Sequence, residues 1–272
     1  MSDTEQAPVY TLSQGSIPLL VSIPHMGTQI PPDIAASMTP VAQHYDDTDW
    51  HLDRLYSFAR DMGASVLQPR YSRYVIDLNR PPDGASLYPG QDTTGLLPVD
   101  TFDKEALYPA GGLPDEAEQQ RRLNLYWKPY HSAIEAELAR LRREHGRVLL
   151  WEAHSIRSHV PRFFEGRLPD FNFGTARDAS APPGLGQALA DLATRDGRYT
   201  AVANGRFTGG YITRHYGRPA EGVYAVQLEQ SQITYMQESR PYPYLPELAD
   251  AAAVVVRQAV ELALEWLKKY EG

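Results

Sequence analysis

Two histidines and a glutamate stand directly after short apolar runs, where strands would bring them to the edge of a sheet. His25 follows residues 18–23 (PLLVSI), His154 follows the run RVLLWEA, and Glu229 follows residues 223–228 (VYAVQL). In open α/β sheets, ligands bind at the carboxyl ends of the strands. If these strands are parallel neighbours, the three side chains meet at one edge of the sheet.

The two histidines are candidate metal ligands, because a catalytic zinc site takes three protein ligands, often imidazoles, and keeps one open position. The alternative is that His25 and His154 hydrogen-bond to loop backbone. The chain contains no cysteine, so any further ligand must be His or a carboxylate. Asp49, with Asp46 next, could supply a carboxylate, but the segment DDTD also suits a helix N-cap, which is the commoner role.

Glu229 is a candidate general base. Burial at a strand end raises the pKa of a carboxyl group, which suits it to proton transfer near neutral pH. The alternative is a structural salt bridge between Glu229 and a nearby arginine.

Several arginines lie in segments that could bind an anionic substrate. Arg73, Asn79 and Arg80 belong to the string SRYVIDLNR, and Arg206 and Arg214 belong to the glycine-rich string NGRFTGGYITRHYG. A guanidinium group grips a carboxylate with two hydrogen bonds and can stabilise an oxyanion. The alternative for the first group is a set of surface arginines around an edge strand.

Strands and helices are predicted to alternate along the chain. Further apolar runs predict strands at 65–68, 74–78 and 199–203, and periodic patterns predict helices at 49–62, 115–145 with a kink at Pro129, 183–194 and 245–270. This alternation is typical of an α/β fold with a mixed, mostly parallel sheet. His131 is predicted to pack between helices, and the Pro/Gly-rich segment 81–112 is longer than an ordinary connector.

Composition narrows the class of protein. The chain has 272 residues and a formal net charge of −8. An acidic chain argues against nucleic acid or an anionic membrane as the main partner. It has neither an apolar run of membrane-spanning length nor a signal-peptide pattern, so we expect a cytoplasmic protein with one catalytic domain over 1–272 and a flexible segment over 1–14.

Taken together, the motifs resemble the N-formylglutamate amidohydrolases, the deformylases at the end of one histidine-degradation route. The matching strings run in register from about residue 16 to 240: SIPHMGTQIP, DDTDWHLDRLY, YSRYVIDLNRPPDG, LLWEAHSIRS, FNFGT, GRFTGGYITRHYG and VYAVQLEQSQITYM. That family is similar in turn to zinc carboxypeptidases and aspartoacylases. The resemblance implies a three-layer α/β/α domain around a mixed, mostly parallel sheet, with one catalytic zinc ion.

The resemblance also implies a role for each candidate residue. It makes His25 and His154 zinc ligands and Glu229 the catalytic carboxylate. Those relatives carry a Glu three residues after the first metal histidine, where this chain has Thr28. The carboxylate ligand is therefore assigned to the DDTDW segment, with Asp49 preferred.

The remaining roles concern the substrate. The resemblance implies that Arg73 polarises the scissile carbonyl and that Asn79 and Arg80 hold one substrate carboxylate. A substrate with two carboxylates needs a second cationic contact, for which Arg214 or Arg206 is predicted.

The predicted activity is hydrolysis of N-formyl-L-glutamate to formate and L-glutamate by zinc-activated water. One alternative is a related metallohydrolase that acts on another N-acyl amino acid or a small peptide. The other is a non-catalytic binding protein on the same fold.

Overall fold

The computed structural model describes residues 8–87 and 90–269. Its seven strands form one sheet: β1 (Tyr10–Ser13), β2 (Leu19–Ser22), β3 (Ser65–Pro69), β4 (Val148–Ile156), β5 (Phe171–Gly174), β6 (Ala201–Ala203) and β7 (Val223–Ser231). The strand order is β1-β3-β2-β4-β7-β5-β6. The β1–β3 and β5–β7 pairs are antiparallel and the other four pairs are parallel, so the sheet is mixed and mostly parallel, as predicted.

Helices cover both faces of this sheet. They are α1 (Pro32–Ala35), α2 (Leu52–Leu55), α3 (Ser57–Asp61), α4 (Glu116–Arg122), α5 (Lys128–His145), α6 (Leu185–Thr194), α7 (Tyr211–Tyr216) and α8 (Pro246–Lys269). A π-helical turn, Leu123–Trp127, joins α4 to α5. The three-layer α/β/α arrangement agrees with the predicted fold class. The wider similarity to zinc carboxypeptidases stays a prediction.

The two central strands β4 and β7 divide their side chains between two cores, because successive residues of a strand point to opposite faces. Trp151 of β4 and Leu228 of β7 pack in the core beneath α2, α3, α6 and α8. Leu150 of β4 and Ala225 of β7 pack in the core beneath α5 and α7. By the same alternation, His154 and Glu229 share the α5/α7 face of the sheet.

The strand predictions at 18–23, 65–68, 147–151, 199–203 and 223–228 each overlap an observed strand. The strand predicted over 74–78 is wrong. Its apolar side chains Tyr74, Val75 and Ile76 are buried, but the segment makes turns outside the sheet. Burial of an apolar run does not distinguish a strand from a buried irregular segment.

The sequence also missed two strands. Residues 10–13, which fall in the segment expected to be flexible, form β1 instead and pair with β3. β5 carries the string FNFG and pairs with β7. Residues 1–7 of the predicted flexible segment lie outside the described residues.

The helix predictions hold with two differences. The predicted helix 49–62 begins only at Leu52 and is divided into α2 and α3 at Tyr56. Pro129, where a kink or break is predicted, lies in the first turn of α5, directly after the π turn. Within the residues that the structure describes, none of the helices has both the length and the apolar character that crossing a membrane requires.

Candidate active site

Three buried side chains converge at the carboxyl ends of β2 and β4. One ligand atom from each of His25, Asp49 and His154 lies within 4.8 Å of the others. Nδ1 of His154 is 3.1 Å from Oδ2 of Asp49, and Nδ1 of His25 is 3.8 Å from the same oxygen. Two imidazoles and a carboxylate are a donor set that suits zinc, so this cluster could hold a metal ion.

A second layer of carboxylates orients both histidines. Nε2 of His25 lies 2.8 Å from Asp77 Oδ1, and Nε2 of His154 lies 2.5 Å from Glu152 Oε1. A metal-binding histidine commonly donates its other N–H to a carboxylate in this way, which fixes the ring and directs the free nitrogen at the metal. Both Nδ1 atoms therefore point toward Asp49 for a structural reason, and the residues present fit a divalent ion.

The pKa values of the two histidines shift in opposite directions, but the charges around both favour a bound cation. Burial and the nearby Arg73 lower the pKa of His25, which favours the neutral form that binds metal. Burial alone would lower the pKa of His154, but Glu152 and Asp49 raise it well above its usual value. The negative charge of Glu152 and Asp49, which raises this pKa by stabilising positive charge, would stabilise a bound cation in the same way.

The backbone before α2 explains why Asp49 reaches the cluster. His51 has a left-handed φ of 60° and α2 has no side-chain cap, so none of the aspartates or Thr48 serves as its N-cap. Asp49 instead receives the main-chain N–H of Ser155 on Oδ2 at 3.2 Å. Asp46 lies elsewhere, hydrogen-bonded to Arg240 and Tyr242. Of the two candidates, only Asp49 belongs to the His25/His154 cluster.

Glu229 lies beside the cluster because β4 and β7 pair in parallel with His154 opposite Glu229. Burial raises the pKa of the Glu229 carboxyl to about 8, although His154 acts in the opposite direction. Among the described residues, Glu229 forms no ion pair with an arginine, so the structural salt bridge is not found. A cation bound at the cluster would lower the pKa of Glu229 and favour its basic form.

Arg73 and Asn79 both contact the machinery around the histidines. Nη2 of Arg73 lies 2.6 Å from Asp77 Oδ2, and its guanidinium group packs over the ring of Phe102. The Asn79 side-chain amide lies 3.0 Å from His154 Nε2, and its oxygen accepts the main-chain N–H of Ile212 at 2.9 Å. Because the Nε2–H of His154 is directed to Glu152, the contact with Asn79 is one of packing, and it places Asn79 between His154 and the start of α7.

One cavity collects most of the predicted residues. Its volume is about 580 Å³ including the space that opens to solvent, and it is lined by His25, Asp49, His154, Glu229, Asn79, Arg73, Arg80 and Arg206. Arg80 donates to the main-chain oxygen and hydroxyl of Thr94, which belongs to the 81–112 segment. Arg214 is not among these residues; it borders a different cavity, together with Arg177 and Thr208.

Sequence reasoning missed the carboxylates that support the histidines. Glu152 also accepts the main-chain N–H of Thr213 at 3.1 Å, and Asp77 also accepts that of Asn79 at 2.9 Å. A signal was present, since each is a lone carboxylate inside an otherwise apolar run, in RVLLWEAH and YVIDLN. A charge buried in such a run needs a partner, and histidine is a common one.

Sequence comparison identifies the family of the chain. A family model described as N-formylglutamate amidohydrolase matches residues 17–236. The chain is 50% identical over 258 residues to N-formylglutamate deformylase of Pseudomonas aeruginosa, covering 95% of this chain and 97% of the relative. It is 48% identical to N-formylglutamate deformylase of Pseudomonas putida, covering 95% and 96%.

Structural comparison gives the same result. The fold matches a crystal structure of N-formylglutamate amidohydrolase from Ralstonia eutropha JMP134 with a TM-score of 0.75 and 25% identity, over 95% of this chain and 97% of that one. A protein of Agrobacterium tumefaciens shares the fold at a TM-score of 0.71 and 18% identity, over 96% of both chains. The chain is an enzyme of the N-formylglutamate amidohydrolase family.

Proposed function

We propose that this enzyme hydrolyses N-formyl-L-glutamate to formate and L-glutamate. The observation that supports the proposal most directly is the cavity in which the His25/Asp49/His154 cluster and Glu229 meet three arginines. The cluster and Glu229 suit hydrolysis, and the arginines suit a substrate with two carboxylates in a protein whose net charge is −8. The named relatives are deformylases of this substrate. A cytoplasmic location and a place in histidine degradation stay predictions.

Zinc is the metal we propose for the cluster, because two imidazoles and one carboxylate are a common catalytic zinc set. A zinc ion held by His25, Asp49 and His154 would lower the pKa of a water molecule and polarise an acyl oxygen. Asp77 and Glu152 keep the two imidazoles oriented, which strengthens the site.

Glu229 acts as the general base. Its carboxylate takes the proton that the attacking water loses and then delivers that proton to the departing amine of glutamate. Its burial limits competition from bulk water for this proton. Arg73 donates to the acyl oxygen as negative charge develops there, and its ion pair with Asp77 holds the guanidinium group in place.

Two arginines are assigned to the substrate carboxylates. Arg80 lines the cavity and is held by Thr94, so it could meet one carboxylate without losing its position. Arg206 lines the same cavity and is supported by the carbonyl of Phe163. We assign the second carboxylate to Arg206 in preference to Arg214.

Arg206→Gln should raise KM about tenfold, the cost of one charged contact, whereas Arg214→Gln should leave KM unchanged; the opposite pattern would reverse the assignment.

The decisive experiment measures formate release from N-formyl-L-glutamate by the purified protein. Activity should disappear on chelation and return with added zinc. Activity that survives complete metal removal would refute the metal requirement.

A panel of N-acetyl-L-glutamate, N-formyl-L-glutamine and N-formyl-L-aspartate tests the substrate. Turnover of the acetyl compound in preference to the formyl compound would indicate the alternative, an enzyme for another N-acyl amino acid. No turnover of any N-acyl amino acid by zinc-loaded protein would refute this substrate class.

A further inference from the structure

The segment 73–80 is buried but lies outside the sheet, so no neighbouring strand satisfies its backbone. A buried carbonyl without a partner costs free energy, and the partners must come from elsewhere. Asn79 O accepts from Arg80 Nη1 within the segment, and three other carbonyls accept from side chains outside it. Arg122 Nη1 reaches Val75 O at 3.1 Å, His131 Nε2 lies 2.9 Å from Leu78 O, and Trp127 Nε1 reaches Arg80 O at 3.1 Å.

All three donors lie on one continuous helical element, formed by α4, the π turn and α5. Arg122 and Trp127 are five residues apart, and Trp127 and His131 are four apart. In a regular α-helix, residues five apart point in different directions, but the i→i+5 geometry of a π turn brings them to one face. The turn Leu123–Trp127 occupies this interval. It therefore aligns the three donors along the 73–80 segment.

The contacts of His131 fix its Nε2–H as the hydrogen-bond donor. The Tyr216 hydroxyl lies 2.8 Å from its Nδ1, which leaves the N–H on Nε2, toward Leu78 O. Its ring stacks on Trp127 with a centroid distance of 3.6 Å. Burial lowers the pKa of His131 to about 3, so the ring stays neutral across the physiological pH range.

The two carbonyls held by His131 and Trp127 lie on either side of Asn79. The Asn79 side chain contacts His154, and the next residue, Arg80, lines the cavity. We infer that His131 and Trp127 are positioning residues, which act through the backbone of 78–80 on the metal ligand His154 and on the substrate contact of Arg80. This inference rests on the proposed function.

Trp127→Phe tests the role of Trp127, because phenylalanine keeps an aromatic ring in place but removes the N–H. The matched control is Trp151→Phe, which removes a buried N–H that donates to Tyr56 Oη at 3.1 Å in the opposite core. Both variants should lower Tm by similar amounts. Only Trp127→Phe should raise KM for N-formyl-L-glutamate, by about two- to tenfold, the effect of one hydrogen bond. Equal KM values in the two variants would overturn the role of Trp127.

His131 is tested by zinc affinity, measured by competition with a chromogenic chelator and without substrate. His131→Leu should weaken zinc binding about tenfold, as the loss of outer contacts to metal ligands does. His131→Gln, whose amide can still donate to Leu78 O, should recover most of it. If both variants bind zinc like the wild-type enzyme, His131 only packs the core. A wild-type enzyme that neither binds zinc nor releases formate would instead refute the proposed function.

Discussion

The two halves of the active site are held in place by different means. His154 and Glu229 lie on β4 and β7, where continuous strand pairing fixes their backbone and their register. Arg73, Asp77 and Arg80 lie on the irregular segment 73–80, where side-chain hydrogen bonds replace the ladder. The sheet positions one half. Side-chain hydrogen bonds, some of them made within the segment 73–80 itself, position the other.

This difference predicts whether a substitution lowers stability, catalytic activity or both. On β4 and β7, the strands pair through main-chain groups, so replacing a side chain leaves the backbone supported. On the irregular segment, Asp77 accepts from the Asn79 N–H and pairs with Arg73 while it orients His25. Substitutions there should therefore affect stability and chemistry together, whereas substitutions on the strands should affect chemistry more than stability.

The largest effect is expected for Glu229→Gln on the strand side. We expect kcat to fall about 10²- to 10⁴-fold, the usual contribution of a general base. Zinc content and the far-UV circular dichroism spectrum should be unchanged, because strand pairing supports the site. Turnover close to that of the wild-type enzyme would remove Glu229 as the base, and loss of zinc would show that the two halves are not separable in this way.

The carboxylates that orient the two histidines provide a matched pair across the two halves. Glu152→Gln and Asp77→Asn should each weaken zinc binding about 10- to 100-fold, since each removes the charged partner of a histidine. Asp77→Asn should lower Tm more than Glu152→Gln, because it also breaks the ion pair with Arg73, whereas the new amide oxygen at position 152 can still accept the Thr213 N–H. Competition with a chelator and thermal denaturation measure the two quantities. Equal Tm losses would contradict the distinction between the halves.

The smallest effect concerns stability and pH in chelated protein. The pKa of Glu229 is about 8 in the folded state and 4.5 for an ordinary carboxyl, so in this window the folded state holds a proton that the unfolded state has released. Stability therefore falls as pH rises from 4.5 through 8. At pH 9, Glu229→Gln should raise Tm by at least about 2 °C, and at pH 4 it should change Tm little. A variant that is less stable at pH 9 would refute the shift.

The regular part of the fold could be predicted well from apolar patterning. The runs that became β2, β3, β4 and β7 were found, because a buried strand needs a short continuous apolar stretch. The same logic failed at 74–78, where an equally apolar run is buried without pairing. It also missed β1, whose residues are only partly buried at the sheet edge, and whose pairing with β3 is a long-range contact.

The site could be predicted in its residue types but not in its connections. His25, Asp49, His154 and Glu229 line one cavity, as the sequence led us to expect. Asn79 was expected to face the substrate, and in the structure its amide is engaged with His154 and α7. Arg214 or Arg206 was predicted to hold the second carboxylate; Arg206 lines this cavity, whereas Arg214 borders a separate one. A sequence pattern does not show which of several polar groups come into contact in the folded chain.

The sequence by itself determined the chemistry that is available. The absence of cysteine limits any metal site to His and carboxylate ligands, and apolar runs fix which histidines and glutamate reach the sheet edge. Only the tertiary structure decided how these groups are used. It selected Asp49 over Asp46, paired Glu152 and Asp77 with the histidines, and set the π turn against segment 73–80. The physical reason is that a buried polar group is stabilised by a hydrogen-bond partner, and the partners named here are mostly distant in the chain.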